Sequence, residues 1–275
     1  MCAMAFGPIG IWRRRQAGTK ALEEIEGLGF GALWIGGSPS LAQVRPFLEG
    51  SSTLTIATGI LNVWQHQPAD VAADHAALGR DFPGRFLLGV GVGHPEATRE
   101  YATPLAAMRA FFDGLDAAPD PVPREERVAA ALGPKMLDLA GARTRGAHTY
   151  FVTPEHTRFA RERLGPGALL APEVAVALED DAEIARRAAR DYAGTYLRLR
   201  NYTSNLLRFG FTERDIDGGG SDRLIDAVIP HGSAARVAES VRAHLDAGAD
   251  HVAVQPLGHG PAPLEDYRAL AGALL

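Results

Sequence analysis

The amino-acid sequence predicts an α/β protein of the (β/α)8 TIM-barrel class, and three observations lead to this prediction. The chain has 275 residues, which is close to the size of one such barrel. Short runs rich in Val, Ile and Leu alternate with Ala-rich stretches of helical spacing, as in successive βα units. Several of these runs are apolar throughout, which is typical of parallel strands covered on both faces. We therefore expect residues 1–275 to form a single barrel domain.

Eight segments have the composition of strands, which is the number that one barrel requires. In chain order they are Phe6–Trp12, Ala32–Ile35, Leu54–Thr58, Phe86–Val92, Arg127–Leu132, Gly146–Phe151, Leu169–Leu178 and His251–Gln255. The fifth segment has the weakest pattern, because it includes three successive alanines that are poor strand formers.

Helix signals fall between the predicted strands. Apolar stripes at helical spacing indicate helices over 21–28, 68–80, 182–193, 234–247 and 264–274. Gly29 ends the first of them, and Pro68 suits the first turn of the second. Asp180 or Asp181 can cap the third helix, and Ser233 can cap the fourth.

Residues 195–230 break the alternation, since they contain no clear strand and include the flexible stretch Gly218-Gly219-Gly220. A long excursion after the seventh barrel strand fits this pattern, and such excursions are often functional lids. The alternative is a surface decoration. Within the excursion, the polar and aromatic stretch 200–205 is predicted to cover the barrel mouth, with a dimer contact as the rival interpretation.

Composition and charge exclude several classes of protein. The formal net charge is −5, so no basic surface is implied, and neither nucleic acid nor an anionic membrane is an expected partner. The single cysteine, Cys2, excludes an internal disulfide and a multi-cysteine metal site. No apolar run is long enough to span a bilayer, and no apolar segment follows the arginines at 13–15, so a cytoplasmic location is expected.

The predicted strand ends are rich in glycine and poor in carboxylates. The segments 34–38, 58–62, 89–94 and 146–150 show this composition, and in a barrel they meet at the face where active sites are built. Glycine lets the backbone approach a ligand closely, which suits a flat cofactor rather than a metal. Tight βα turns are the alternative reason for these glycines. Phosphate-loop, nucleophile-elbow and G-x-G-x-x-G motifs are absent from the sequence.

Three histidines lie at or near these strand ends. His94 follows the fourth strand, His148 lies in the sixth, and His66 comes just after the third. Five other histidines have structural or exposed positions in the pattern: His75, His231, His244, His251 and His259.

Several motifs of the chain resemble luciferase-like monooxygenases, most of all the actinobacterial branch that uses the deazaflavin coenzyme F-420. The motifs that carry the resemblance lie at 10–12, 58–64, 68–69, 83–94, 131–136, 150–156 and 247–252. The similarity spans nearly the whole chain. It implies a (β/α)8 barrel with an insertion after strand seven, a flavin or deazaflavin ring in the barrel mouth, and a homodimer.

The resemblance also implies where the ligands bind. The residues expected at the cofactor are Gly36, Thr58, Gly59, Ile60, Asn62, Gly91, Val92, Gly93, Gly133, Gly146 and Ala147. Those expected at the substrate are Trp34, His66, Asn201 and Tyr202. A non-proline cis peptide bond is expected between Gly59 and Ile60. Related sugar-phosphate dehydrogenases have an Asp-His pair where this chain has Gly36-Gly37-Ser38, so sugar-phosphate oxidation is not expected.

These observations predict an oxidoreductase that moves a hydride between coenzyme F-420 and a small organic substrate. The alternatives are an FMN-dependent luciferase-like monooxygenase and a non-catalytic flavin-binding barrel. Hydride transfer to a carbonyl or double bond leaves a negative charge, which a positioned acid must neutralise. His94 is the first candidate for that acid and His148 the second. A hydrogen bond to the cofactor is the rival role for either histidine.

Overall fold

All eight predicted barrel strands form, and they pair in parallel with their neighbours. The structure is a computed structural model that describes residues 6–14, 18–94, 103–258 and 263–275. Two barrel strands are interrupted, so the sheet counts ten strands along the chain. They are β1 Ile9–Arg14, β2 Ala32–Gly36, β3 Thr55–Thr58, β4 Leu61–Asn62, β5 Phe86–Gly91, β6 Arg127–Ala130, β7 Gly146–His148, β8 Leu169–Leu170, β9 Glu173–Val176 and β10 Val252–Pro256.

The seventh barrel strand, formed by β8 and β9, closes the barrel. It is interrupted at Pro172, which has no N–H to donate to a ladder. On one side, the Ala171 amide donates to the Ala147 carbonyl beside β7 (2.9 Å). On the other, the Ala253 amide of β10 donates to the Pro172 carbonyl (2.9 Å). The remaining strands follow in the order β7-β6-β5-β3-β2-β1-β10, so the predicted (β/α)8 class is confirmed.

The third barrel strand is divided into β3 and β4 by a bulge at Gly59 and Ile60. The peptide bond between these two residues is cis, as predicted. Thr58 ties the bulge to the next strand, because its hydroxyl donates to the Gly89 carbonyl (2.7 Å) and accepts from the Gly89 amide (2.8 Å). These two hydrogen bonds hold the bulge against β5.

Helices cover the outside of the sheet. They are α1 Leu22–Gly27, α2 Leu41–Glu49, α3 Pro68–Asp81, α4 Pro104–Asp116, α5 Pro134–Arg143, α6 Pro154–Leu164, α7 Ala182–Tyr196, α8 Arg200–Arg208, α9 Glu213–Ile216, α10 Asp222–Val228, α11 Ala234–Asp246 and α12 Leu264–Leu274. Asp181 caps α7 by accepting from two backbone amides, and Ser233 caps α11 by accepting from the Arg236 amide. All five predicted helices are confirmed within a few residues at their ends. α7 extends three residues beyond its predicted end, which adds Tyr196 to it.

Residues 195–230, all of them described, contain helices and no strand, as predicted. Five helices, α7 to α11, lie between the seventh and eighth barrel strands, where a simple βα unit has one. α7, α8 and α10 share a buried apolar cluster with Phe151, which follows β7. This cluster fixes the helices over the end of the sixth and seventh barrel strands.

Two tryptophans fill the inside of the barrel. Trp12 and Trp34 pack there against small side chains, including Ala57 and Ala253, which leave room for the indoles. A separate and larger apolar cluster lies between the strands and the surrounding helices. No helix in the described part of the chain is long and apolar enough to cross a membrane.

Candidate active site

A cavity of about 600 Å³ opens at the carboxyl ends of the barrel strands. This volume falls in the usual range for small-molecule and cofactor sites. Its walls come from the strand ends, the bulge and the first turns of α4, α5 and α8. The lining residues are Trp12, Arg14, Gly37, Ser38, Gly59, Ile60, Asn62, Val92, Gly93, His94, Pro104, Ala130, Ala131, Leu132, Gly133, Met136, His148, Tyr150, Tyr196, Asn201 and Tyr202.

Many of the residues singled out in the sequence line this cavity. Both candidate acids, His94 and His148, are among them. The predicted cofactor residues that line it are Gly59, Ile60, Asn62, Val92, Gly93 and Gly133. Asn201 and Tyr202, predicted at the substrate, line it as well, which places the start of α8 at the barrel mouth.

Other predicted site residues lie outside the cavity, for reasons of packing. The Thr58 hydroxyl is used within the barrel wall, and Gly146 lies against the backbone of β8, where an added Cβ would be 1.8 Å from the Leu169 carbonyl oxygen. Gly91 packs against Ala130 and Ile60, and Ala147 is fully buried in β7. His66 is half-buried outside the lining.

Gly36 and Trp34 support the cavity from below instead of lining it. An added Cβ on Gly36 would come within 2.2 Å of the Trp12 ring, so this glycine makes room for that indole. Trp34 is completely buried inside the barrel, and it therefore cannot contact a substrate in this structure. Cys2 and His259, which the sequence places outside the site, lie outside the described residues.

His148 is held as a neutral hydrogen-bond acceptor. Its Nδ1 lies 2.7 Å from the Ala171 carbonyl, and a carbonyl can only accept, so Nδ1 carries the proton. Burial lowers the pKa of His148 to about 4, so the ring is neutral at pH 7. Its Nε2 then has a lone pair and no proton. This geometry favours the acceptor role for His148, and its role as a reserve proton donor stays a prediction.

A donor and an acceptor flank Gly59 without partners of their own. Trp12 Nε1 and His148 Nε2 are both buried, and neither has a hydrogen-bond partner among the described residues. An added Cβ on Gly59 would lie 2.6 Å from Trp12 Nε1 and 3.3 Å from His148 Nε2. Buried polar groups are normally satisfied. This N–H and this lone pair therefore form a site for the edge of a ligand that offers one acceptor and one donor. Only glycine at position 59 leaves space for such a ligand.

His94 and Asn201 line the same cavity near Tyr202. The His94 ring centroid is 5.4 Å from that of Tyr202, with 52° between the ring planes. Asn201 Oδ1 is buried and has no hydrogen-bond partner in the described part of the chain. These groups can accept hydrogen bonds from a second ligand or donate hydrogen bonds to it.

A cluster of tyrosines was missed by the sequence reasoning. Tyr150, which follows β7, has its hydroxyl 2.6 Å from that of Tyr192 and 2.9 Å from that of Tyr196, both on α7. Burial raises the pKa of all three phenols above 10, so they are neutral. The i, i+4 spacing of Tyr192 and Tyr196 puts them on one helix face. That spacing was the only signal in the sequence.

Glu173 lies at the buried end of this cluster. Tyr192 donates to its Oε1 at 3.3 Å, and its Oε2 has no partner among the described residues. Burial raises the pKa of Glu173 to about 8. Within the described ranges, no group of three or more His, Cys, Asp or Glu side chains is arranged to hold a metal ion.

Comparison with known proteins gives a family match and a shared fold. Residues 18–112 match the family model described as luciferase-like monooxygenase. No curated protein sequence matches the chain.

The first of three similar solved structures is an F-420-dependent secondary alcohol dehydrogenase in complex with an F-420-acetone adduct. It is 15% identical with a TM-score of 0.77, and the match covers 98% of this chain and 100% of that one. The coenzyme F-420-dependent tetrahydromethanopterin reductase of Methanopyrus kandleri is 17% identical with a TM-score of 0.69, over 98% and 99% of the two chains.

The third structure is the FMN complex of the oxygenating constituent of 3,6-diketocamphane monooxygenase from Pseudomonas putida. It is 15% identical with a TM-score of 0.65, over 98% of this chain and 99% of that one. The sequence's resemblance to luciferase-like monooxygenases is thus confirmed, since the family model covers residues 18–112 and the chain shares the fold of these enzymes along nearly its whole length.

Proposed function

We propose that this protein is an oxidoreductase that moves a hydride between the deazaflavin coenzyme F-420 and a small organic substrate. One observation carries the proposal. The unpartnered N–H of Trp12 and the unpartnered lone pair of His148 lie on either side of Gly59 in a cavity of about 600 Å³. The pyrimidine edge of a deazaflavin alternates ring carbonyls with N–H groups, so it matches this pair.

Three parts of the chain would hold the ring. Trp12 would donate to a ring carbonyl, and His148 Nε2 would accept from a ring N–H. The bulge at Gly59 and Ile60 would support one face of the ring. Residue 59 is glycine there because the side chain of any other residue would collide with Trp12. When bound, the deazaflavin supplies a carbon centre that gives or takes a hydride.

Other residues of the cavity would receive the substrate. His94, Asn201 and Tyr202 line one wall, and we propose that they contact the substrate. Tyr150 and Tyr196 line the cavity beside them, and together these rings exclude water from the reacting atoms. Arg14 is the one arginine or lysine among the described lining residues, which favours a substrate that is mostly uncharged. The homodimer implied by the family resemblance belongs to this proposal.

The deazaflavin is favoured over FMN by two of the comparisons. The F-420-dependent secondary alcohol dehydrogenase has a TM-score of 0.77, and the F-420-dependent reductase of Methanopyrus kandleri shares the fold as well. The FMN complex supports the second candidate, an FMN-dependent monooxygenase. Flavin and deazaflavin have the same pyrimidine edge, so Trp12 and His148 fit both.

Anaerobic turnover tests the proposal. Reduced F-420 is mixed with the protein and a panel of aldehydes, ketones and conjugated enones, and reoxidation of the deazaflavin is followed by its visible absorbance. We expect at least one acceptor to be reduced without oxygen. Activity only with reduced FMN and oxygen would establish the monooxygenase instead. Tight binding of a cofactor without turnover of any acceptor would establish a non-catalytic barrel.

A further inference from the structure

Glu173 is a buried carboxyl that faces phenols and no cation. It is 1% exposed, and no arginine or lysine in the described part of the chain lies within ion-pair distance of it. The titratable groups that face it are Tyr192 and Tyr196 from α7, Tyr150 after β7 and Tyr202 from α8. Such a carboxyl is disfavoured as an anion, and burial raises the pKa of Glu173 to about 8.

Hydrogen bonds join this carboxyl to the cavity. Tyr192 contacts Glu173 Oε1 at 3.3 Å, and its hydroxyl lies 2.6 Å from that of Tyr150. Tyr150 and Tyr196 line the cavity, whereas Tyr192 and Glu173 do not. The side-chain oxygen Oε1 of Gln255 can accept from either phenol, since it lies 3.1 Å from the Tyr150 hydroxyl and 3.2 Å from the Tyr192 hydroxyl. Each phenol has one proton and several partners, so the protons of this network can be rearranged without moving the heavy atoms.

We propose that Glu173 stores a proton, and that Tyr192 and Tyr150 pass this proton to the cavity when a substrate has accepted a hydride. The inference rests on the proposed function, which supplies the hydride and hence the anion. Glu173 and Tyr192 act through Tyr150 and do not touch the substrate.

The transfer balances in protons and electrons. The substrate gains a hydride with its electron pair from the reduced deazaflavin and becomes an anion. Before transfer, the protonated Glu173 Oε1 donates to the Tyr192 oxygen, the reverse of the direction in which Tyr192 donates to it, and Tyr192 donates to the Tyr150 oxygen. The Tyr150 O–H bond then breaks and its proton goes to the anion, Tyr192 gives a proton to Tyr150, and Glu173 gives one to Tyr192. Each phenol ends neutral, and Glu173 ends as a carboxylate. A hydronium ion at the cavity then returns one proton to Glu173 through Tyr150 and Tyr192, so the carboxylate becomes neutral and water is released.

The proposal differs from donation by His94 in its pH dependence. A donor must hold its proton, so turnover falls as the pH rises above the pKa of the donor. An ordinary histidine loses its proton near pH 6.5. Burial raises the pKa of Glu173 to about 8, which places that fall near pH 8 instead.

Infrared spectroscopy of the protein alone tests the proton store. We expect a carbonyl band from a protonated carboxyl at pH 7 that disappears as the pH rises through about 8. Glu173→Gln should remove this band while preserving the fold, since glutamine has the shape and charge of the protonated acid. Absence of the band from the unmodified protein at pH 7 would overturn the proposal.

Hydrogen–deuterium exchange of the same band tests the path. We expect the carboxyl proton to exchange about tenfold more slowly in Tyr192→Phe, because phenylalanine has no hydroxyl to link Glu173 to Tyr150. Tyr267→Phe is the matched control, since Tyr267 is a buried tyrosine of α12 outside the network. It should exchange like the unmodified protein. Unchanged exchange in Tyr192→Phe would overturn the path.

Turnover separates this inference from the proposed function. With reduced F-420 and cyclohexenone, we expect kcat to fall above about pH 8. We expect no such fall of kcat in Glu173→Gln. At pH 7, kcat of Glu173→Gln should be lower by about 10²-fold, as for a lost general acid. A Glu173→Gln protein with unchanged kcat and pH profile would overturn the inference alone. If no acceptor is reduced by the unmodified protein, the proposed function fails, and the two infrared measurements still decide whether the store and path exist.

Discussion

The imidazole of His148 stacks on the indole of Trp34, with ring centroids 4.2 Å apart and 11° between the planes. Trp34 is itself fixed from below, because its Nε1 donates to His251 Nε2 at 3.1 Å. His251 Nδ1 in turn lies 2.8 Å from the Gly7 carbonyl, which sets its tautomer. This chain of contacts holds the lone pair of His148 at the floor of the cavity without contributing any atom of Trp34 or His251 to the lining.

Trp34→Phe should weaken both the fold and the cofactor site. Removal of the indole leaves His251 Nε2 buried without a donor and leaves a space beside His148. We expect the free energy of unfolding to fall by about 2–4 kcal/mol. Urea denaturation measures it. Trp64→Phe is the matched control, since Trp64 is half-buried outside the barrel interior and should lose about 1 kcal/mol or less. Equal losses in the two variants would contradict a special role for the stack.

Binding of the deazaflavin should be insensitive to pH through the range in which an ordinary histidine titrates. Burial lowers the pKa of His148 from 6.5 to about 4, so its Nε2 remains an acceptor well below neutral pH. Affinity should be flat from pH 8 down to about pH 5 and fall as the pH approaches 4, where Nε2 gains a proton. Fluorescence titration at each pH measures this. A change in affinity centred at pH 6.5 would show that the titrating group is another histidine.

His94→Phe should separate substrate contact from proton donation. We expect this variant to fold and to bind the deazaflavin normally, and to raise KM by about tenfold through a lost hydrogen bond. The fall in kcat near pH 8 should remain, because it originates at Glu173. A loss of about 10²–10⁴-fold in kcat, together with disappearance of the fall in kcat near pH 8, would show that His94 is the proton donor.

Glu173 should make the protein less stable as the pH rises. Its pKa is raised from 4.5 to about 8 in the folded state, so between these values the folded chain holds a proton that the unfolded chain has lost. Its favourable contribution is complete below pH 4.5 and disappears by about pH 8. The unmodified protein should therefore lose up to about 1.4 kcal/mol per pH unit relative to Glu173→Gln across this window. Denaturation curves of both proteins at several pH values check this, and a constant difference between them would contradict a buried neutral acid.

Two glycine-to-alanine changes should have opposite effects. Gly36→Ala puts a Cβ within 2.2 Å of the Trp12 ring, so we expect lower stability and loss of cofactor binding. Gly79→Ala, in the interior of α3 with no atom within 4 Å of its Cβ, should stabilise the protein by about 0.5–1 kcal/mol. Cofactor titration and thermal unfolding check the pair. Normal binding by Gly36→Ala would show that the position of Trp12 does not matter.

The sequence predicted the barrel and about half of the residues that line the cavity, and physical reasons explain the difference. Apolar runs identify buried strands whatever their partners, so all eight barrel strands were found. Helices α4, α5 and α6 were not predicted, although each begins at a proline, which is a start signal in sequence. The sequence does not show whether a glycine at a strand end faces a ligand or another strand. Gly59 and Gly93 line the cavity, whereas Gly146 packs against β8.

The tyrosine network depends on long-range packing that no local pattern contains. Tyr150 and Tyr192 are 42 positions apart, and they meet only because α7 crosses the end of β7. In the sequence, Glu173 is a single carboxylate within an apolar strand, and this pattern does not predict which side chains surround it in the fold. Trp12 was treated as part of the first strand, and its unpartnered N–H became visible only in three dimensions.

Competitive titration of the purified protein with F-420 and FMN tests the central claim most directly. We expect both to bind at the Trp12 and His148 pair, and F-420 to bind at least about tenfold more tightly, a difference of about 1.4 kcal/mol. His148→Leu, which keeps the apolar stack and removes the acceptor, should weaken the binding of F-420 by about tenfold. Tighter binding of FMN would contradict the choice of F-420 as cofactor, and equal binding of F-420 to His148→Leu and the unmodified protein would contradict the role of His148 in holding it.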